Sequence, residues 1–273
     1  MNTSCLVVLM AGLALGAGTA QSQSLGESIA KYKQRYPLVD PLQKLIGPHG
    51  KVPDGISGVD KDKLASELKG VRNFRVVLGG LMYRGGKIHP LDGKKNPDDG
   101  KKDNHYPLPD YGLKNLCEQG FGEAVYLYAS RMSEKQIEKS CISGGASNVL
   151  TYRKLPPLNS EANATEILKI MHRRLTGADN RPVYVHCWNG WHASGYISAL
   201  ALRQFCGVSL EQAIAYWDLN TDHVCGSSYE HVREKIRAFK MKPELEVGEE
   251  IKGLICPTMS FKVDEKKWCT INS

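Results

Sequence analysis

The sequence lacks several features that would assign it to a broad functional class. Its 273 residues carry a formal net charge of +7, yet no arginine-rich stripe is interleaved with aromatic residues, so we expect no nucleic-acid partner. Beyond the first twenty residues no apolar run is long enough to cross a bilayer, so we expect no membrane span. No His and Cys spacing matches an established zinc pattern, and we predict no cofactor. The modest positive charge favours an acidic partner.

The first twenty residues predict the compartment. Cys5 to Ala17 is an apolar run, and the small residues Gly18-Thr19-Ala20 precede a polar stretch. This pattern is typical of a secretory signal peptide at residues 1–20, cleaved after Ala20, although no Lys or Arg precedes the run. A retained anchor is the alternative. We therefore expect a secreted or periplasmic protein in an oxidising compartment.

The cysteine count supports a disulfide framework with one free thiol. Seven cysteines remain after residue 20, and an odd number suggests three disulfides and one unpaired residue. We expect Cys187 to be the free one because of its sequence setting. Proximity along the chain suggests three pairs, although sequence does not fix the connectivity: Cys117–Cys141, Cys206–Cys225 and Cys256–Cys269.

The order of local patterns predicts an α/β fold with a central, mainly parallel sheet flanked by helices. Strand patterns alternate with amphipathic helical patterns along most of the chain. The extension at 21–70 is interpreted as an extended lead-in with a short helix at Lys61 to Leu68. A domain at 71–240 carries a solvated insertion at 87–111, and a tail at 241–273 follows.

Within the domain, the patterns predict individual elements. We expect a strand pair over Asn73 to Gly86, followed by further strands at Glu123 to Tyr128, Val149 to Tyr152 and Val183 to Val185. Ser133 and Gln136 fit a capping box, which predicts a helix at Ser133 to Lys139. The other predicted helices are Tyr111 to Glu118, Glu161 to Leu175, Ser194 to Phe205, Ser209 to Trp217 and Ser228 to Phe239.

The chain is organised around the stretch 181–195. A short buried strand ends at Val185, a tight loop begins with Cys187, and a helix follows from Ser194. Such a loop directs several backbone N–H groups and the positive end of a helix dipole toward one point. That point suits an anion, and a cysteine beside it should ionise easily.

These residues resemble the cysteine-dependent protein phosphatases of the tyrosine and dual-specificity type. The family pattern is His-Cys, five residues, Arg, then Ser or Thr, and here His186-Cys187 leads to Ser194. The phosphate-clamping Arg of the family falls on Ala193, which makes the chain a degenerate member. Since Tyr83-Arg84-Gly85 also resembles the end of the family's first strand pair, the resemblance covers about Asn73 to Phe239.

The resemblance implies roles for individual residues. Cys187 would be the nucleophile, His186 would support the loop, and Ser194 would assist departure of the thiolate or cap the helix. The family's general acid is an Asp about thirty residues before the Cys, but the corresponding stretch 155–161 has none. Glu161 and the more distant Asp222 are the candidate acids.

The loop contains residues that the family pattern does not require. Trp188 and Trp191 predict a stacking wall for an aromatic, sugar or cationic ligand. His192 offers a weaker, pH-dependent positive charge near the place of the missing Arg. The remaining residues predicted to bind an anion or ligand are Asn189, Gly190 and Gly195.

Three functional hypotheses follow. The first is a phosphatase-fold protein that binds an anionic or aromatic small ligand, including phosphorylated ones, without efficient phosphate-ester hydrolysis. The second is an unorthodox cysteine-dependent phosphatase that uses Cys187 with His192. The third is a copper, zinc or redox site at Cys187 and His192, with His223, Cys225 or His231 nearby. The oligomeric state is not predicted.

Overall fold

A computed structural model of the chain describes residues 24–37, 40–47, 68, 72–86, 107–130 and 132–261. The predicted signal peptide and residues 87–106 of the predicted insertion lie outside the described residues. So does the predicted helix at Lys61 to Leu68, except for Leu68 itself.

The sheet has six strands and confirms the predicted fold class. The strands are β1 (Arg75–Leu78), β2 (Met82–Gly85), β3 (Glu123–Tyr126), β4 (Gln136–Ser143), β5 (Ala146–Lys154) and β6 (Val183–His186). Their order is β1-β2-β6-β3-β5-β4. The four inner strands run parallel, whereas β1 and β4 are antiparallel edge strands. The strand that leads into the Cys187 loop, β6, therefore lies inside the sheet.

Alternation of side chains along the strands gives the molecule a core on each face of the sheet. From β6, Val183 and Val185 point into one core and Tyr184 into the other. The second core is rich in aromatic rings, including Phe74 stacked on Tyr83 at 5.5 Å between ring centroids. Because β6 is buried on both faces, Val183 to Val185 form a continuous apolar and aromatic run rather than an alternating pattern.

Helices cover both faces of the sheet. They are α1 (Leu25–Arg35), α2 (Asp110–Glu118), α3 (Glu161–Thr176), α4 (His192–Cys206), α5 (Leu210–Leu219), α6 (Glu230–Ala238) and α7 (Glu249–Ile255). Short 3₁₀ turns lie at Ser227–Tyr229 and Pro243–Leu245. Within the described part of the chain, no helix is long and apolar enough to cross a bilayer.

Two predicted elements are wrong. The lead-in predicted to be extended contains α1, which Ser24 and Glu27 start with a capping box. The segment predicted to be a helix at Ser133 to Lys139 instead leads into β4. That strand forms a hairpin with β5 across Gly144 and Gly145, both at positive φ. The Gly-Gly turn and its cross-strand pairing outweigh the local capping pattern.

The disulfides correct two of the three predicted pairs. Cys117–Cys141 is present as predicted, and Cys187 is a free thiol. Cys206 pairs with Cys256, so the predicted Cys206–Cys225 and Cys256–Cys269 pairs are wrong. The observed bond joins α4 to the residue after α7 across 50 positions of sequence, a pairing that proximity along the chain does not reveal.

Candidate functional site

Cys187 directly follows the inner strand β6, at the carboxyl end of the parallel strands. This edge is where open α/β sheets bind ligands. The side chain is buried, with 2% of its surface exposed. Its Sγ lies 3.4 Å from the Oγ of Ser194, in the first turn of α4. The loop therefore brings a free thiol and a hydroxyl together at the start of a helix.

The backbone of the loop presents a row of free donors. No N–H group from Asn189 to Ser194 donates a hydrogen bond to another residue in the described part of the chain. The first N–H groups of a helix have no partner within the helix. Here the N–H groups of the preceding loop extend this set of unpartnered donors. Unpartnered amides at the start of a helix are suited to an anion.

The carbonyl groups of the same loop are held by side chains of other elements. Asn73 donates from Nδ2 to the Asn189 carbonyl oxygen at 2.6 Å. Arg84, on β2, donates to the carbonyl oxygens of Gly190 and Trp191. Arg84 is fully buried, so its guanidinium contacts the loop from the interior of the protein. These carbonyl oxygens of the loop are therefore hydrogen-bonded to side chains, whereas the N–H groups of the loop remain available to a ligand.

Unusual backbone conformations concentrate around this loop. The non-glycine residues at positive φ are Asn73, Asp222 and His223, at 52°, 52° and 69° within the described residues. Asn73 bonds the loop directly, and Asp222 bonds Trp191. Such conformations persist only where surrounding contacts enforce them, and they are common at functional sites.

A cavity of about 490 Å³ opens onto Cys187. Its volume lies in the range of small-molecule sites. The walls are mainly apolar and aromatic, and no Arg, Lys, Asp or Glu is among the described lining residues. These are Tyr128, Leu158, Cys187, Trp188, Asn189, Trp191, His192, Val224, Tyr229, His231 and Val232. Both tryptophans of the loop line the cavity.

Tyr128 adds a hydroxyl group to the cavity, and the sequence analysis missed it. It follows β3 and accepts a hydrogen bond from the backbone N–H of Trp188. Burial raises the pKa of the Tyr128 phenol, and the nearby Cys187 adds to the rise. The phenol therefore stays neutral at physiological pH and can donate a hydrogen bond to a ligand.

Asp222 is a support of the loop rather than part of the cavity lining. Its Oδ2 accepts a hydrogen bond from Trp191 Nε1 at 3.0 Å, and its Oδ1 forms ion pairs with Lys44 and Arg75. Burial lowers the pKa of Arg75 to about 9. An acid must reach the leaving group, so the observed contacts give Asp222 a positioning role.

Glu161, the other candidate acid, also lies outside the cavity lining. It begins α3, where it pairs with Lys242 at 3.2 Å. It lines a smaller pocket of about 140 Å³ instead. Leu158, from the segment where the family would place its acid, does line the Cys187 cavity. Within the described lining of the cavity, this segment therefore contributes an apolar side chain.

His192 lines the cavity but is arranged as a neutral group. Its Nε2 donates to the Val224 carbonyl oxygen at 2.6 Å, and its ring stacks on Tyr229 at 3.8 Å between centroids. Burial lowers the pKa of His192, and Arg84 lowers it further, although the bond to Val224 opposes this. His192 is therefore a poor replacement for a permanently charged arginine.

The other predicted residues support the loop. His186 is fully buried, lies 2.9 Å from the Tyr152 hydroxyl and stacks among three tyrosine rings. Ser194 is not the helix cap, because Trp191 occupies that position. A Cβ on Gly195 would lie 3.0 Å from Trp217, so this glycine permits packing. Gly190, at φ 77°, provides the turn.

The residues proposed for a metal site do not form one. Cys187, His192 and His231 all line the cavity, but Cys225 is disulfide-bonded and is not available as a ligand. Across the described ranges, no group of three or more His, Cys, Asp or Glu side chains is arranged to hold a metal ion.

Comparison with known proteins adds a fold likeness. No protein-family model matches the chain, and no curated protein matches it in sequence. A solved structure of the Trypanosoma brucei protein tyrosine phosphatase TbPTP1 is similar, with 14% identity and a TM-score of 0.30. The match covers 67% of this chain and 70% of that chain.

Proposed function

We propose that the protein binds a small ligand that combines an anionic group with an aromatic ring, and that it hydrolyses phosphate esters poorly. The anionic group would occupy the amides beside Cys187, and the ring would lie against the tryptophans. The observation that carries this proposal is the row of unpartnered N–H groups from Asn189 to Ser194 at the edge of an aromatic cavity.

The shape of the loop supports anion binding without any substrate-induced change. Asn73 and Arg84 hold the carbonyl oxygens, so the amides are fixed before a ligand arrives. A preorganised set of donors binds an anion without the entropic cost of ordering the loop. The aromatic walls then favour a ligand with an apolar, planar part.

Weak hydrolysis follows from two missing functions. A phosphoryl transfer needs a proton donor for the leaving oxygen, and general acid catalysis typically contributes about 10²–10⁴-fold. Among the described lining residues there is no carboxyl group. The loop itself supplies no forked cation either, since the position of the family's arginine is the buried Ala193.

The compartment forms part of the same proposal. Two complete disulfides among the described residues, together with the apolar first twenty residues, support export to an oxidising compartment. The ligand would therefore be met outside the cytoplasm.

Binding and turnover can be measured separately with 4-nitrophenyl phosphate. We expect it to quench tryptophan fluorescence and to slow alkylation of Cys187 by iodoacetamide, while little nitrophenol is released. Trp188→Ala should weaken binding, whereas Ile142→Ala, an exposed change on edge strand β4, should not. Failure of the wild-type protein to bind would contradict the proposed anion binding. Fast turnover that disappears in Cys187→Ser would contradict weak hydrolysis.

A further inference from the structure

An arginine outside the predicted loop packs near the backbone of that loop. Arg72 precedes β1, and its backbone carbonyl accepts a hydrogen bond from Gly86 N–H at 2.8 Å. This bond fixes the start of the Arg72 side chain next to the end of β2. The sequence pattern gives no sign of it, because Arg72 is more than a hundred positions before the loop.

Gly86 opens the path from Arg72 to the loop. A Cβ at Gly86 would lie 2.6 Å from Arg72 Cγ and 2.7 Å from the Trp188 carbonyl oxygen. The stem of Arg72 and the backbone of the loop therefore approach the same point from two sides. Any larger residue at position 86 would force them apart.

The side chain of Arg72 is half-buried and has no acceptor among the residues that the structure describes. Its Nε is buried, and the side chain donates no hydrogen bond to any residue in the ranges that the structure describes. Buried donors in folded proteins nearly always have a partner, so this nitrogen is available to an acceptor that binds from outside the chain.

The surrounding charges leave Arg72 incompletely neutralised. Burial lowers the pKa of Arg72, and the two groups that oppose this fall are Asp222 and Cys187. Asp222 also forms ion pairs with Lys44 and Arg75, so its single negative charge is shared among three cations. The loop therefore lies in a region of excess positive charge.

We propose that Arg72 is the cationic partner of the anion bound beside Cys187, in place of the arginine that the loop lacks at Ala193. This inference rests on the proposed function, since it concerns the same anion. Arg72 reaches the loop from the Gly86 side and is not part of the aromatic cavity lining. It therefore contributes chiefly through its charge, without the forked geometry of a clamp within the loop.

Replacing Arg72 with lysine distinguishes a contribution made by positive charge from one made by two parallel hydrogen bonds of a guanidinium. Lysine keeps the charge but loses the planar fork. Arg72→Lys should therefore retain most of the anion affinity, whereas Arg72→Gln should lose it. Arg173→Gln is a matched control, because Arg173 is exposed and pairs with Glu166 on α3.

The experiment measures how much inorganic phosphate halves the rate of Cys187 alkylation by iodoacetamide. We expect this concentration to rise about tenfold or more in Arg72→Gln, because a charged hydrogen-bond donor is lost. It should change less than threefold in Arg72→Lys and stay unchanged in Arg173→Gln. Equal protection of the wild-type protein and Arg72→Gln would overturn the inference but leave anion binding intact.

A second measurement on the wild-type protein does not depend on the folding of a variant. A dicarbonyl reagent modifies accessible arginines, and mass spectrometry locates the modified sites. Phosphate should slow the modification of Arg72 and leave that of Arg173 unchanged. Equal modification of Arg72 with and without phosphate, while Cys187 is protected, would contradict the inference. Absence of any protection of Cys187 would contradict the proposed function itself.

Discussion

Removing the charge of Asp218 should destabilise the protein strongly. Asp218, on α5, is buried with a side chain 3% exposed, and its Oδ1 lies 2.7 Å from Nη2 and 2.9 Å from Nε of Arg233 on α6. The same guanidinium donates to the Cys225 carbonyl oxygen at 2.6 Å and lies over the Trp217 ring. Breaking a buried pair on one side typically costs about 3–5 kcal/mol, and we expect the lower part of that range because Arg233 keeps its pair with Glu230 at 3.0 Å. For a chain of this size that corresponds to a fall in Tm of about 10 °C.

Thermal and urea unfolding of Asp218→Asn would measure this cost. Glu166→Gln is the control, since it breaks an exposed pair with Arg173 that should contribute no more than about 1 kcal/mol. The double variant Asp218→Asn, Arg233→Met removes both charges and should recover part of the loss. A cost below about 1 kcal/mol in Asp218→Asn, or a double variant less stable than the single one, would refute the reasoning. Because His231 and Val232 line the cavity, ligand affinity should fall together with the stability of α6.

Three further predictions concern the Cys187 loop, the Cys206–Cys256 disulfide and His192. Gly190→Ala should abolish binding of 4-nitrophenyl phosphate, measured by tryptophan fluorescence. Gly190 has φ 77°, and a Cβ there would lie 2.6 Å from the backbone of Gly85. Gly207→Ala, at φ 63° with open space around it, should cost only about 1–2 kcal/mol and retain binding. Removing the Cys206–Cys256 disulfide with two serines should lower the free energy of unfolding by about 4 kcal/mol, measured in urea, because the bond closes a loop of 50 positions; an unchanged urea midpoint would contradict this. Burial lowers the pKa of His192 in the folded protein. As pH falls through about 6.5, the ordinary pKa of histidine, the unfolded chain therefore takes up a proton at His192 before the folded protein does. Stability should therefore fall as pH drops through that value, and Tm measured across pH should fall less in His192→Gln; parallel curves would contradict it.

The centre of the molecule could be predicted from sequence because its signals are local. The β-branched and aromatic run in β6, the tight turn and the helical spacing after it follow one another without interruption. The same stretch predicted that Cys187 would stay free, which the structure confirms. The row of amides lies where the strand–loop–helix pattern places it.

The errors have physical causes beyond the local pattern. Ser133 and Gln136 have the spacing of a capping box, yet the segment after them pairs with β5 across a Gly-Gly turn. The Cys206–Cys256 bond depends on α7 packing near α4, a contact that only the complete fold creates. The supports of the loop are Asn73, which precedes β1, and Arg84 on β2, and neither leaves a trace in the spacing around Cys187.

The hydrogen bonds from Arg84 and Asn73 to the loop affect which residues of the site can be substituted. Both hold main-chain oxygens from outside the cavity, and neither is among its lining residues. Side chains such as Leu158 and Trp188 can therefore be exchanged while the curvature of the main chain persists. A protein engineer, or natural drift, could alter which molecules fit while retaining the same anchoring point for their negative end.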